Sequence, residues 1–250
     1  MKKYDREKIK KMEDAGKICS DIMERLVEKA KAGVSLLEID DLAFDLAKKN
    51  NVQSAFLGYE GFPANACIGV NDVVVHGIPT DYELKDGDIV SIDYGIRYKD
   101  VFSDMSVTLP IGGVPKEVIS LINTTKEATL AGIMAATPGS TSGDIGYAMQ
   151  NVIESNGFSV VKEFVGHGIG YSLHEDPYVP GYGQPGAGSK LHVGQTLAIE
   201  AIVNQGSPEV VIDADDNWTT YTKDGMLSAL FEHTIVVEEN PKILTDWRLL

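Results

Sequence analysis

A pattern of two helices followed by strands occurs twice in this chain, at an offset of 106 to 107 residues, and it restricts the available folds more than any other feature. Apolar residues Ile9, Met12, Ile18, Ile22, Leu26 and Val27 fall at helical spacing between Asp5 and Ala32, and Gly33 ends the run. A second helix is expected from Ser35 to about Asn50. Strand-like runs follow at Ala66 to Val75, Ile89 to Ile96 and Val101 to Leu109. The order then restarts, with helices from Lys116 to about Ala136 and Ser142 to Asn156, and strands near Ser159 to Val165, Thr196 to Val203 and Ala229 to Val237. Gly33, Ser35, Ile39 and Asn50 recur 106 positions on as Gly139, Thr141, Ile145 and Asn156. Leu84 to Asp93 aligns at 107 with Leu191 to Glu200, each stretch running from a leucine through a turn glycine into an apolar strand that ends in a carboxylate. Such a duplication predicts an α+β fold, a single domain spanning 1–250 with pseudo-repeats at about 1–110 and 111–250. Two half-sheets would meet about a pseudo-twofold axis, bringing Asp93 and Glu200 together near the seam.

Composition narrows the function classes. With 43% apolar residues the 250-residue chain can bury a sizeable core. No apolar run approaches the roughly 18 residues that cross a bilayer, and the first residues lack a signal-peptide stretch, so a cytoplasmic location without membrane contact is expected. Cys19 and Cys67 are too few for a disulfide framework. Basic residues number 22 against 37 acidic ones, a net charge of −15, which opposes neutralisation of nucleic-acid phosphates. The first eleven residues are a local exception: Lys2, Lys3, Arg6, Lys8, Lys10 and Lys11 make either a solvated helix end or a patch for an anionic surface such as the ribosome. Gly181 to Gly186 resembles a dinucleotide fingerprint but follows a proline-rich loop and contains Pro185, so no nucleotide is expected.

Carboxylates inside apolar strands demand a partner, because burying one unpaired costs several kcal/mol. Asp93 and Asp104 are such residues, and a hairpin turning near Tyr98 and Lys99 would make them cross-strand neighbours about 5 Å apart. Glu200 and Glu232 are two more, and His167 sits between glycines in Gly166-His-Gly-Ile-Gly170. Four carboxylates and one imidazole suit a pair of divalent ions such as Mn, Fe, Co or Zn better than a closed cysteine site.

The set Asp93, Asp104, His167, Glu200 and Glu232, at successive intervals of 11, 63, 33 and 32, resembles the type I methionine aminopeptidases. Asn71-Asp-Val-Val-Val-His-Gly-Ile-Pro79, His174-Glu-Asp-Pro177 and Glu232-His-Thr234 also match the family pattern. The resemblance implies the pita-bread (creatinase/aminopeptidase-like) fold, a curved antiparallel sheet between duplicated halves. It implies two metal ions, with Asp93 on one, His167 and Glu200 on the other, and Asp104 and Glu232 bridging both around a hydroxide nucleophile. His174 is expected to stabilise the oxyanion, His76 to orient the substrate, and Glu200 to carry the proton. Tyr59, Phe62, Cys67 and Trp218 are expected around the methionine side chain, and a small second residue is preferred. The substrates implied are the N-termini of nascent polypeptides. Ala201 and Leu173 depart from the residues usual beside Glu200 and His174. His192 and His233 receive no role. Two alternatives remain: an Xaa-Pro peptidase of the same fold, which usually carries an added N-terminal domain for which this length leaves no space, and a non-catalytic homologue that binds a protein or RNA.

Overall fold

The computed structural model describes residues 5–246. Helix α1 spans Arg6–Lys29, and its first turn is closed by Asp5, which accepts from the Lys8 N–H at 3.0 Å. Ile9, Met12, Ile22 and Leu26 are buried along one face, as their spacing predicts. Helix α2 spans Leu36–Lys49, α3 spans Lys116–Ala135 and α4 spans Ser142–Ser155. Both α2 and α4 begin with a reciprocal capping box, Ser35 with Glu38 and Thr141 with Asp144.

The repeat is visible in the backbone. Gly33 donates to the Leu84 carbonyl at 2.8 Å and Gly139 to the Leu191 carbonyl at 3.0 Å, both glycines holding positive φ of 84° and 94°. Isolated bridges join Ser35 to Glu83 and Thr141 to Lys190.

Four long antiparallel strands form the centre of a ten-stranded sheet, in the order Ile89–Tyr98, Val101–Pro110, Ser228–Val236, Thr196–Asn204. The first pair comes from one repeat and the second from the other, so the seam lies between Val101–Pro110 and Ser228–Val236. Asp93 and Glu200 therefore flank the seam on the outer strand of each pair, while Asp104 and Glu232 lie on the two strands that form it. The hairpin register also differs from expectation. The loop is Lys99 and Asp100, which places Asp93 opposite Ser106 and Asp104 opposite Gly95. Asp93 and Asp104 are thus diagonal neighbours on one face, because the two-residue loop sets the register two positions from direct opposition.

Smaller elements depart from the expected boundaries. The run from Ala66 to Val75 splits at Asn71, which has a φ of 56°, into Cys67–Val70 in the large sheet and Val73–Val75 in a separate three-stranded sheet. Only Ser159–Val160 of the expected Ser159 to Val165 run is strand; it and a further short strand, Gly166–Gly168, both pair with the Glu200 strand. Among the described residues no helix is long and apolar enough to cross a membrane. Lys2 and Lys3 of the basic segment lie outside the described residues. Lys10 and Lys11 are paired with Asp14 and Asp100, and Lys8 donates to Thr196 Oγ1 at 3.0 Å.

Candidate active site

Register places the site residues on one face of the sheet. Antiparallel partners project to the same side, so the row Cys67, Asp93, Ser106, Glu232 and Glu200 runs straight across five strands. His167 lies opposite Ala198, two residues from Glu200, and joins the same face. Asp104 is two residues from Ser106. Its carboxylate fits because its partner is Gly95: a Cβ there would lie 3.0 Å from Asp104 Oδ1.

Asp93, Asp104, His167, Glu200 and Glu232 line a cavity of about 530 Å³, and Tyr59, Phe62, Cys67, His76, His174 and Trp218 line it with them. Ligand atoms of Asp104, His167 and Glu232 lie within 4.8 Å of one another, and these side chains are only 4%, 5% and 3% exposed. Asp93 and Glu200 share the cavity but fall outside that tightest group.

The electrostatics of this face call for a cation. Oδ1 of Asp93, Oδ1 of Asp104 and Oε1 of Glu232 are buried with no hydrogen-bond partner, and no lysine or arginine lines the cavity among the described residues. Burial pushes Asp104 up to about 7, and burial with the Asp104 charge pushes Glu200 up to about 8. Burial and the neighbouring carboxylates hold Asp93 and Glu232 well above the usual range. The imidazole is prepared differently. His167 Nδ1 lies 2.9 Å from the Gly168 carbonyl, which can only accept, so Nδ1 carries the proton and Nε2 presents its lone pair. Burial and His174 lower its pKa to about 4, keeping it neutral. Orphaned carboxylate oxygens beside a neutral imidazole fit divalent metal ligation.

Residues 10–239 match metallopeptidase family M24. The chain belongs to that family. A methionine aminopeptidase of Clostridium perfringens is 46% identical over 235 residues, covering 94% of each chain. The methionine aminopeptidase structure from Thermotoga maritima superposes with a TM-score of 0.95 at 38% identity, covering 98% of this chain and all of that one. A prolidase from Pyrococcus horikoshii shares the fold, with a TM-score of 0.77 at 22% identity, and this chain covers 64% of it.

The rest of the M24 cavity has an apolar wall and two more histidines. Phe62 packs edge-on against Trp218 at 5.2 Å, and Cys67 is a buried free thiol whose pKa burial raises well above its usual value. His76 holds a φ of 56° and stands between Phe164, at 5.1 Å, and Trp218, at 6.0 Å. Burial, with His174, lowers its pKa to about 4. Nδ1 of His174 is 2.7 Å from the Tyr59 hydroxyl, whose pKa is raised by burial so that it stays protonated and can donate. That tautomer leaves the His174 Nε2–H free to donate elsewhere. His192 lines a different cavity, and His233 is buried on the opposite face with Nδ1 2.7 Å from Thr245 Oγ1. Sequence reasoning missed Phe56, Phe164, Tyr178 and Glu163, which complete the cavity. Phe56 lies three residues before Tyr59 and gave a signal only as another aromatic; Glu163 and Phe164 sit in a loop, and Tyr178 lies in the five-residue strand Glu175–Val179, too short to show a pattern.

Proposed function

We propose that this chain is a metal-dependent aminopeptidase that removes N-terminal methionine from peptides and nascent polypeptides in the cytoplasm, with a small second residue preferred. The observation that carries this reading is a single cavity in which orphaned carboxylates and His167 face the apolar wall of Tyr59, Phe62, Cys67 and Trp218. Asp93, Asp104, His167, Glu200 and Glu232 would hold two divalent ions. Bound there, such ions polarise a carbonyl and lower the pKa of water. The protein supplies the rest. The aromatic wall takes the unbranched thioether and excludes water around it. Nε2–H of His174, its ring held by Tyr59, donates to the carbonyl oxygen as negative charge develops there. The His76 ring, wedged between two aromatics, orients the scissile amide. A Glu200 carboxylate oxygen carries the proton from the attacking water to the leaving amine.

Methionine release from Met-Ala-Ser and Met-Pro-Ser, measured on metal-stripped protein before and after Co(II), Mn(II), Fe(II) or Zn(II) is restored, tests the reading. Release that requires metal and disappears in Asp104→Ala supports it. Cleavage of Xaa-Pro peptides with Met-Ala-Ser untouched would replace it with the prolidase-like activity, and absence of any turnover in the metallated protein would leave a binding module.

A further inference from the structure

Antiparallel strands are normally joined by N–H to carbonyl bonds between facing backbones. The seam between the Asp104 and Glu232 strands keeps that arrangement only over the Ser106/Glu232 and Met105/His233 pairs. Beyond them a side chain intervenes at each end. The Asp104 N–H donates to Thr234 Oγ1 at 2.9 Å, and the Thr234 hydroxyl donates to the Asp104 carbonyl at 2.8 Å. At the other end the Leu230 N–H donates to Thr108 Oγ1 at 2.8 Å, and the Thr108 hydroxyl donates to the Leu230 carbonyl at 2.9 Å. A local twofold through the Ser106/Glu232 pair exchanges Thr108 with Thr234, and Leu230 with Asp104. The two threonines perform the same backbone task, yet only Thr234 holds a residue of the carboxylate cluster.

The backbone of Thr234 itself is taken by the C-terminal segment. Its N–H donates to Thr245 Oγ1 at 3.2 Å, and its carbonyl accepts from the Leu244 N–H at 2.9 Å. With Thr234 turned to that segment, Asp104 has only the Thr234 hydroxyl for both its backbone polar groups at the seam. A hydroxyl interposed between two backbones holds them farther apart than a direct ladder bond. At Asp104 the spacing between its strand and the Glu232 strand is therefore set by one buried side chain, that of Thr234.

We propose that Thr234 is a positioning residue for the metal centre: its hydroxyl, standing in for backbone pairing, holds Asp104 at the separation from Glu232 and His167 that shared metal ligation requires. The proposal rests on the metal-site reading given under Proposed function. Its test uses Co(II) added to metal-stripped protein, followed by titration calorimetry and by the visible absorption of bound Co(II), for wild type, Thr234→Val, Thr234→Ser and Thr108→Val. Thr234→Val should weaken Co(II) binding by about 10- to 100-fold, the range for lost ligand-supporting hydrogen bonds, and should change the absorption bands. Thr234→Ser should restore both. Thr108→Val should lose thermal stability yet keep wild-type Co(II) affinity and bands. Wild-type affinity and bands in Thr234→Val would overturn the proposal, as would equal weakening in Thr108→Val, which would make the effect one of seam stability. A wild-type protein that binds no Co(II) would instead overturn the metal-site reading itself. Should Thr234→Val fail to fold, Thr234→Ala removes the same two bonds without adding a methyl group and carries the same comparison.

Discussion

The Tyr59 hydroxyl 2.7 Å from His174 Nδ1 assigns a role to each residue that can be separated by kinetics. On the proposed mechanism His174→Ala removes a donor to the developing oxyanion, and it should lower kcat about 10²- to 10³-fold with KM little changed. Tyr59→Phe keeps the edge-on ring contact with His174 but removes the hydroxyl that fixes its tautomer, so its loss in kcat should be smaller and in the same direction. Steady-state rates with Met-Ala-Ser check both; a His174→Ala effect confined to KM would assign that residue to binding alone. Gly95 yields a second prediction. A methyl there would meet Asp104 Oδ1, Ala55 Cβ and Phe56 Cε1, each at 3.0 Å. Gly95→Ala should destabilise the protein by about 1–3 kcal/mol, the usual range for overpacking, and weaken metal binding because Asp104 must yield. Urea unfolding and metal titration measure the two effects.

The capping boxes make the duplication testable one helix at a time. Ser35 accepts from the Glu38 N–H and Thr141 from the Asp144 N–H, both at 3.2 Å, at equivalent positions 106 residues apart. Ser35→Ala and Thr141→Ala should each cost about 1 kcal/mol in urea unfolding, with methionine release unchanged, since neither helix end touches the cavity. A change in release by either substitution would show that the helix ends couple to the site. The two helix starts, near Ser35 and Ser142, were legible in sequence. The division of the Ala66 to Val75 run was not, although Asn71 and Asp72 interrupt its apolar residues, because two polar residues mark a turn without showing that the chain passes there from one sheet into another.

Across the whole molecule, the buried carboxylates and histidines give the metal-stripped protein a defined pH dependence. Asp104 and Glu200 are raised from ordinary values of 3.8 and 4.5 to about 7 and about 8. Above their ordinary values the unfolded chain has released these protons while the folded chain still holds them. Their contribution is therefore complete at low pH and is lost as pH rises through about 7 and then about 8. His167 and His76 act in the opposite direction, since folding lowers them from 6.5 to about 4 and stability gains with pH across that interval. As pH rises beyond 6.5 the histidines lose their charge in the unfolded state too, and the carboxylates dominate. The melting temperature without metal should fall between pH 6.5 and pH 8, and added divalent ions should raise it more at the upper end. Scanning calorimetry at the two pH values decides; a melting temperature that rises with pH would contradict the assignment of these carboxyls as a strained, cation-requiring group.

Sequence alone determined the helix pairs, the duplication and the acidic strand residues, because these depend on local spacing: helical periodicity, turn glycines recurring at a fixed offset, and carboxylates where apolar residues belong. Which ion each ligand would hold, and the pocket residues, were legible only because their motifs resemble a family. Tertiary structure decided the rest. Loop length at Lys99 and Asp100 put Asp93 opposite Ser106 and diagonal to Asp104. Strand order moved Asp93 and Glu200 one strand out from the seam. The Thr234 bond to Asp104 joins residues 130 positions apart. No local pattern marks it, since a threonine in a β-rich run reads as an ordinary strand former until the opposing backbone is in place.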